Sequence, residues 1–399
     1  MSTFRLLHTS DVHLDTSFSG SGFSTSQGQA LRAHIRRTFL GIIELALKED
    51  VQALLIAGDL YEADRVTPDT VKFLDSQFRR LGERPVVIAP GNHDPCTPTS
   101  PYRQHDWPAN VRIFHSDEPA CFDLGLAQVH GLAHLHADER RNLMQRLRAA
   151  SGPALQLALL HASDTRFDFA AKQRYAPFHP DDLAGRGFHY IALGHYHRCY
   201  RVDAPLGGGT ALLGVAAVDA AQSMSAAWYC GCPQARGFDE PEDCSCLLVT
   251  LHDEGSAPRV EVRQQPTGGK RFLSGELDCT SHDHSAALIA AIRAWIMERQ
   301  AGDDAVRLRL TGEQSPTLRL ELHGILEQCR DAAFALKLVN TLRPAYDLEA
   351  LAEEDSLRGA FVRTLRERLA GAEDEERPLI ERALQFGLDA FADRELVIP

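Results

Sequence analysis

Five short segments of this 399-residue chain hold the residue types that divalent-metal chemistry on phosphate requires. They are Asp11-Val12-His13, Gly58-Asp59, Gly91-Asn92-His93-Asp94, His161 and Gly194-His195-Tyr196-His197. Aspartate oxygen, amide oxygen and imidazole nitrogen suit Mn2+, Fe2+ or Zn2+ in higher coordination than a structural zinc site. The expected ligands are Asp11, His13, Asp59, Asn92, His161, His195 and His197, and the absence of cysteine among them argues against a closed thiolate zinc. Two such ions would polarise a phosphate, make a nucleophilic hydroxide near neutral pH and stabilise the leaving oxygen. A single His or Asp at a strand end is ordinarily a cap or a turn residue. Five such segments, each after an expected strand, point to one shared site.

The elements that must position them alternate between apolar runs and helical patterns. Phe4 to His8 reads as a buried strand and Gln29 to Lys48 as an amphipathic helix. Ala53 to Ala57 is again strand-like, and Thr67-Pro68 begins a helix running to about Leu81. Pro85 to Ala89, Leu126 to His130, Leu155 to Leu160 and Phe188 to Leu193 continue the series. Such alternation predicts an α/β layered fold with largely parallel pairing. In open α/β sheets functional groups gather at the carboxyl ends of strands, where all five segments fall. The glycines before Asp59, Asn92 and His195 let the chain turn sharply as it leaves each strand.

The stretch from Thr210 to Leu251 reads as short strands closing the same domain. Composition shifts near Gln264 to Gly269. A smaller α+β domain follows, with strands expected at Arg271 to Leu277, Ala305 to Leu310 and Thr317 to Leu322, and a helix over about Ser285 to Arg299. From about Tyr346 the chain is charge-rich and helical. Phe361, Leu365, Leu369, Leu379, Ala383, Phe386 and Leu388 are its expected apolar face, broken into two helices before Pro378. The boundaries are 1–263, 264–345 and 346–399.

The formal net charge of -13 weighs against nucleic-acid binding by bulk electrostatics, so a polyanion would have to be held locally by metal ions and a few arginines. Nine cysteines, an odd number, scattered through an ordinary enzyme core suit a reducing cytoplasm better than a disulfide scaffold. No apolar run approaches a membrane span, and no signal peptide is evident at the N-terminus.

With these motifs the chain resembles the calcineurin-like metallophosphoesterase superfamily, in its D-x-H, G-D, G-N-H-D, H and G-H-x-H series. Within it the similarity is to SbcD-like DNA-repair exonucleases, especially the bacterial YhaO type. It rests on His8 to Asp15, Gly91 to Pro95, Ser100-Pro101-Tyr102, Trp107 to Val111 and Phe188 to His197. The resemblance covers residues 4–260 well and the C-terminal third more loosely. It implies a four-layer α/β/β/α sandwich with a smaller C-terminal α+β capping domain and terminal helices. It implies that Asp11, His13 and His197 hold one metal, that Asn92, His161 and His195 hold the other, and that Asp59 bridges them. His93 would contact the scissile phosphate and protonate the leaving oxygen, oriented by Asp94. It further implies Mn2+ as the working metal and exo- or endonucleolytic cleavage of DNA. The implied partners are DNA, an SMC-like coiled-coil ATPase docked through the C-terminal helices, and a second copy of the chain as a homodimer.

Glu62 departs from a frequent second aspartate, which puts nothing essential in doubt. The segment Tyr229 to Glu240 resembles the family's Y-x-G-x-P-x-x-R stretch, but with unexpected cysteines. Cys230, Cys232, Cys244 and Cys246 form two C-x-C pairs that could meet across a hairpin. Their spacing is not that of a zinc knuckle, and buried cysteine is a common small hydrophobe, which is the reading adopted. His130, His134, His136, His282 and His284 lack carboxylate-rich partner patterns, and Arg32, Arg36 and Arg37 read as a solvated helix face. The expected activity is metal-dependent DNA cleavage in repair. The alternatives are a phosphatase or cyclic-nucleotide phosphodiesterase of the same superfamily, and a non-catalytic scaffold, against which the intact His93-Asp94 pair argues.

Overall fold

Strand β1 (Ser2–Thr9) is buried on both faces over Leu6 to Thr9, as a strand at the centre of a covered sheet must be. In the computed structural model it lies between β2 (Ala53–Ile56), parallel, and the later β12 (Ser245–Asp253), antiparallel. The structure describes residues 2–19, 22–152, 154–166, 174–202, 216–218, 226–253, 258–315, 318, 320–373 and 376–392. They divide into two compact units. The first is residues 1–274 with 300–307 and 333–335, and the second is the remainder.

In the first unit, helix α1 (Thr25–Lys48) follows β1, and α2 (Pro68–Arg80) follows β2. Next come β3 (Val86–Ile88), the short α3 (Pro101–Gln104), β4 (Val111–Ile113), β5 (Ala120–Asp123), β6 (Ala127–Gly131), β7 (Leu155–His161), β8 (Tyr190–Gly194) and β9 (Cys199–Arg201). Then β10 (Ala216–Val218), β11 (Ala226–Cys230), β12 and β13 (Arg259–Pro266) complete it. Seven strands form one sheet in the order β10-β13-β12-β1-β2-β3-β4, and six form another in the order β5-β6-β7-β8-β11-β9. The runs β1 to β4 and β6-β7-β8-β11 are parallel, and the flanking strands are antiparallel. One apolar cluster joins both sheets, including Leu6, Leu54 and Ile88 from the first and Val129, Leu157 and Tyr190 from the second. Ile35, Phe39, Ile42, Leu74 and Phe78 of α1 and α2 belong to the same cluster. A second cluster on the six-stranded sheet brings Leu160, Ile191 and Tyr229 against Leu143, Met144 and Leu183 of two 3-10 turns.

Helix α1 begins earlier than its apolar periodicity suggests, because Ser24 and Gln27 form a reciprocal capping box. Thr67 caps α2 in the same way, its hydroxyl accepting from the Thr70 amide at 3.2 Å, and Pro68 sits in the first turn where it sacrifices no hydrogen bond.

The two sheets approach each other where β2 and β8 end. A Cβ on Gly194 would lie 1.9 Å from the carbonyl oxygen of Ala57, so only glycine lets these strand ends approach. Overpacking costs roughly 1–3 kcal/mol, and a clash with backbone leaves little room to relax. Gly194→Ala should therefore lower the thermal unfolding midpoint and reduce metal uptake, whereas an unchanged midpoint would show that the strand ends can separate freely.

The sheet β14 (Phe272–Asp278), β15 (Ala305–Thr311) and β17 (Ala335–Asn340) starts in the first unit and continues in the second, which also holds α4 (Ser285–Glu298) and α5 (Leu322–Gln328). The two-residue strands β16 (Glu313–Gln314) and β18 (Arg343–Pro344) pair in parallel. The strand expected over Thr317 to Leu322 is not formed at Leu318 or Leu320, and Leu322 opens α5 instead. Alternating leucines there resemble a strand, but Leu322 and Ile325 belong to one helical turn.

Helices α6 (Leu348–Glu353), α7 (Leu357–Gly371) and α8 (Arg377–Phe391) close the chain. The break before Pro378 falls where expected, and the apolar face does so in part, with Phe361, Leu365 and Leu388 in the buried cluster. Val362, Leu384 and Leu388 are the buried residues, packed on Tyr346, Leu348, Leu351, Phe361 and Leu365, while Leu379 is 69% exposed and Ala383 is also exposed. No helix among the described residues is long and apolar enough to cross a membrane.

Candidate metal centre

Every one of the five motif segments leaves the carboxyl end of a parallel strand in the first unit. Asp11 and His13 follow β1, Asp59 follows β2, Asn92 and His93 follow β3, His161 ends β7, and His195 and His197 follow β8. Four of these residues take the left-handed backbone region, with φ of 52° at Asp11, 51° at His13, 53° at Asp59 and 113° at His195. Such conformations cost on the order of 1–3 kcal/mol each for residues with a side chain, and they persist where surrounding structure fixes them. Here the main chain is held by Asp11 N to Gly58 O at 3.1 Å and His13 N to Asp59 O at 2.9 Å. Gly58, at φ 82°, lies under His161, whose ring would be 2.6 Å from any added Cβ.

The side chains converge in two groups. Asp11, His13 and His197 present their ligand atoms to one another, with His13 Nε2 at 3.9 Å and His197 Nε2 at 3.7 Å from Asp11 Oδ1. Asp59 and His161 form the other, with His161 Nε2 3.4 Å from Asp59 Oδ2 and 2.9 Å from Asn92 Oδ1. Asp59 Oδ2 is also 3.8 Å from His13 Nε2, so this carboxylate stands between the groups. The His195 ring lies 5.2 Å from that of His161, and its amide donates to Asp11.

The donor set fits divalent ions. His13 Nε2 is fully buried and has no hydrogen-bond partner, an arrangement that costs free energy unless something accepts its lone pair. Burial and the Arg236 charge hold the His13 imidazolium well below its ordinary range, outweighing the Glu62 hydrogen bond, so the ring is neutral. Glu62 accepts from His13 Nδ1 at 2.8 Å, which places the lone pair on Nε2. In the same manner Glu240 lies 3.0 Å from His197 Nδ1, and the carbonyl of Ala57 lies 2.9 Å from His161 Nδ1. Metal-binding histidines are commonly oriented in this way through their second nitrogen. Burial alone would raise the Asp59 carboxyl, but His161, His13 and His93 outweigh it and lower it to about 2, leaving a charged carboxylate.

His93 is exposed and lies outside both of these groups, although its ring nitrogen comes together with His13 and Glu62 in a third cluster of possible ligand atoms. Its Nδ1 lies 2.7 Å from Glu62 Oε2. Burial opposes its protonation, but the Glu62 hydrogen bond and the Asp59 and Glu62 charges raise it to about 9. A proton is thus available on Nε2. Asp94 does not touch this ring, contrary to the expected orienting role. It is fully buried and accepts from the amides of Asp59 at 3.0 Å, Leu60 at 2.7 Å and Gly91 at 2.6 Å, and from the Tyr102 hydroxyl at 2.6 Å. Asp94 holds the loops that carry Asp59 and Asn92, and Glu62 orients His93.

Glu62, Glu240 and Arg236 are the site residues that motif reading did not single out as functional. Glu62 had a signal, as a carboxylate three residues beyond Asp59 on the same loop. Arg236 and Glu240 lie in the Tyr229 to Glu240 segment noted for its resemblance, but Glu240 reaches His197 from 43 residues away in sequence, so its role did not follow from the motif. The four clustered cysteines do not form one group. Cys230 Sγ lies 3.0 Å from Ser10 Oγ, while Cys232 Sγ is 4.0 Å from Cys244 Sγ and 3.9 Å from Glu240. His134 is buried with Nε2 2.7 Å from the His161 carbonyl, His130 meets Gln156 at 2.7 Å, and His284 caps α4. Arg36 pairs with Asp69 at 2.6 Å and Arg37 with His34 at 2.9 Å.

Residues 4–199 match the family model described as calcineurin-like phosphoesterase. The chain is 31% identical over 203 residues to the metallophosphoesterase YhaO of Bacillus subtilis, covering 48% of each chain. It is 30% identical over 223 residues to the DNA double-strand break repair protein Mre11 of Aeropyrum pernix, covering 50% of this chain and 51% of that one. Against the protein of the same name from Sulfurisphaera tokodaii it is 27% identical over 212 residues, covering 51% and 52%. The chain spans about half the length of the curated relatives it matches.

Proposed function

Because the chain carries a calcineurin-like phosphoesterase domain over residues 4–199, we propose that it is a metal-dependent DNA nuclease, an exonuclease of DNA repair working with Mn2+ in the cytoplasm. The observation that carries the hydrolytic part is the meeting of Asp11, His13 and His197 with Asp59, Asn92 and His161, with His93 beside them and held through Nδ1 by Glu62. The break-repair names of two relatives support DNA as the substrate.

In this reading Asp11, His13 and His197 hold one divalent ion, Asn92, His161 and His195 hold a second, and Asp59 contributes to both. Bound there, the ions supply charge neutralisation at phosphate and a hydroxide nucleophile near neutral pH. The remaining chemistry belongs to side chains. His93 gives its Nε2 proton to the departing oxygen, and Glu62 fixes the angle of the ring through Nδ1. Asp94 keeps the Gly91 and Asp59 turns in register, so that donor and ligands move together. The region after residue 264 is assigned the capping role, and a second copy of the chain completes a homodimer.

The test is a substrate comparison with purified protein and Mn2+: labelled single- and double-stranded DNA, bis-p-nitrophenyl phosphate, a phosphomonoester and cyclic nucleotides. DNA should be cleaved with the highest kcat/KM. A phosphomonoester or cyclic nucleotide turned over well ahead of DNA would replace this reading with phosphatase or cyclic-nucleotide phosphodiesterase.

We also assign the group α6 to α8 as the docking segment for an SMC-like coiled-coil ATPase. Its three helices bury a small cluster of their own, while Leu357, Leu379 and Phe391 stay exposed at 77%, 69% and 42%. A groove or face offered by short helices is a suitable seat for a coiled-coil strand. Deleting residues 347–399 should leave hydrolysis of the small diester unchanged and abolish co-purification with the ATPase. Retained binding by the truncated protein would end the assignment.

A further inference from the structure

Arg236, in the loop between β11 and β12, stands beside the metal-facing histidines, with its Nη2 also 3.5 Å from His197 Nε2. Its Nη1 lies 3.4 Å from Glu62 Oε1, and its Nη2 lies 3.0 Å from Glu240 Oε1. Its Nε donates to the same Glu240 oxygen at 3.2 Å, and its backbone amide donates to Glu240 Oε2 at 2.7 Å. All three side chains are largely withdrawn from water, at 16% exposure for Arg236, 14% for Glu62 and 17% for Glu240. These two carboxylates are the ones that accept from His13 Nδ1 and His197 Nδ1. The two imidazoles are neighbours, with ring centroids 5.3 Å apart at 68°.

We infer that Arg236 is a positioning residue that clamps Glu62 and Glu240 together and thereby sets the affinity of one metal position, that of Asp11, His13 and His197. The inference rests on the reading of those three residues as a metal site and deepens it. Two half-buried carboxylates turned toward one small volume repel each other unless a cation stands between them. A guanidinium does so with a planar fork that can meet both at once, which an ammonium cannot. The clamp leaves one net negative charge behind the two rings and fixes both Nε2 atoms toward Asp11. The other position is built differently. His161 Nδ1 is held by the Ala57 backbone carbonyl, and no contact of Arg236 reaches Asn92 or His161. Loosening Arg236 therefore acts on one position and spares the other.

The experiment titrates metal-free protein with Mn2+ alone and follows the free-ion signal by electron paramagnetic resonance, with no substrate present. Wild type should take up about two equivalents. In Arg236→Gln one binding class should keep its wild-type affinity, and the other should weaken by about 10- to 100-fold, the usual effect of losing an outer partner of a metal ligand. Arg236→Lys, which restores the charge without the fork, should fall between the two. Equal wild-type affinities in Arg236→Gln, or equal weakening of both classes, would overturn the clamp. Wild-type protein that binds fewer than two ions would instead overturn the metal reading beneath it. If Arg236→Gln does not fold, Glu240→Gln removes one jaw of the clamp and must show the same selective loss. Unchanged binding in that variant overturns the proposal equally.

Discussion

His93→Ala should reduce turnover of DNA by about 100- to 10 000-fold, the range for removing a general acid, while the protein retains its metal ions. The separation follows from geometry. His93 lies beside the ligand groups, its Nδ1 turned to Glu62 at 2.7 Å, and belongs to neither the Asp11 nor the Asp59 constellation. Its loss removes a proton donor and leaves His13 still held by Glu62 Oε1 at 2.8 Å. The effect should appear in kcat with little change in KM, because a proton given to a leaving oxygen matters only as the bond breaks. The smallest loss is expected for a substrate whose leaving group needs no proton, so bis-p-nitrophenyl phosphate should suffer less than DNA. Metal analysis of the variant decides the assignment. If the ions leave with the imidazole, His93 is a ligand and the division of roles is wrong.

Asp59→Ala should fail in both respects, losing activity and metal together. Asp59 stands 3.4 Å from His161 Nε2 and 3.8 Å from His13 Nε2, between the two groups. It is almost fully buried and remains a carboxylate, so removing it takes away the anionic donor that faces both groups. It also accepts from the His93 amide at 2.8 Å, so the loop carrying Asn92 and His93 loses an anchor. Activity should fall below that of His93→Ala and should not return when Mn2+ is raised. Full metal occupancy in Asp59→Ala would show that the ions sit elsewhere.

Much of this site was legible because its ligands are local to strand ends. A residue type two or three positions beyond an apolar run is a one-dimensional signal, and β1, β2, β3, β7 and β8 each carry one. What holds the ligands is not local. Glu240 reaches His197, and Arg236 joins Glu62 across 174 residues of sequence, so the motif that contains them does not announce what they touch. Asp94 shows the converse difficulty. Adjacent to His93 in sequence, it reads as its partner, but consecutive side chains point apart and the carboxylate turns inward to amides. The parallel core of the first unit followed from alternation, since covered strands read as apolar runs. The second unit was less legible, because short amphipathic elements admit several phases. Leu318, Leu320 and Leu322 alternate like a strand but precede a helix, and the buried cluster of α7 and α8 takes in Val362 and Leu384 beside the expected Leu388.

The most direct test of a two-ion phosphoesterase is a single titration. Metal-free wild-type protein, at a concentration well above its affinity for Mn2+, is given the ion in small steps while hydrolysis of bis-p-nitrophenyl phosphate is followed. Activity should rise from the background and level off at about two equivalents per chain, as expected when two ions act on one phosphate. Full activity in the presence of a chelator, or a plateau reached at one equivalent, would contradict the account.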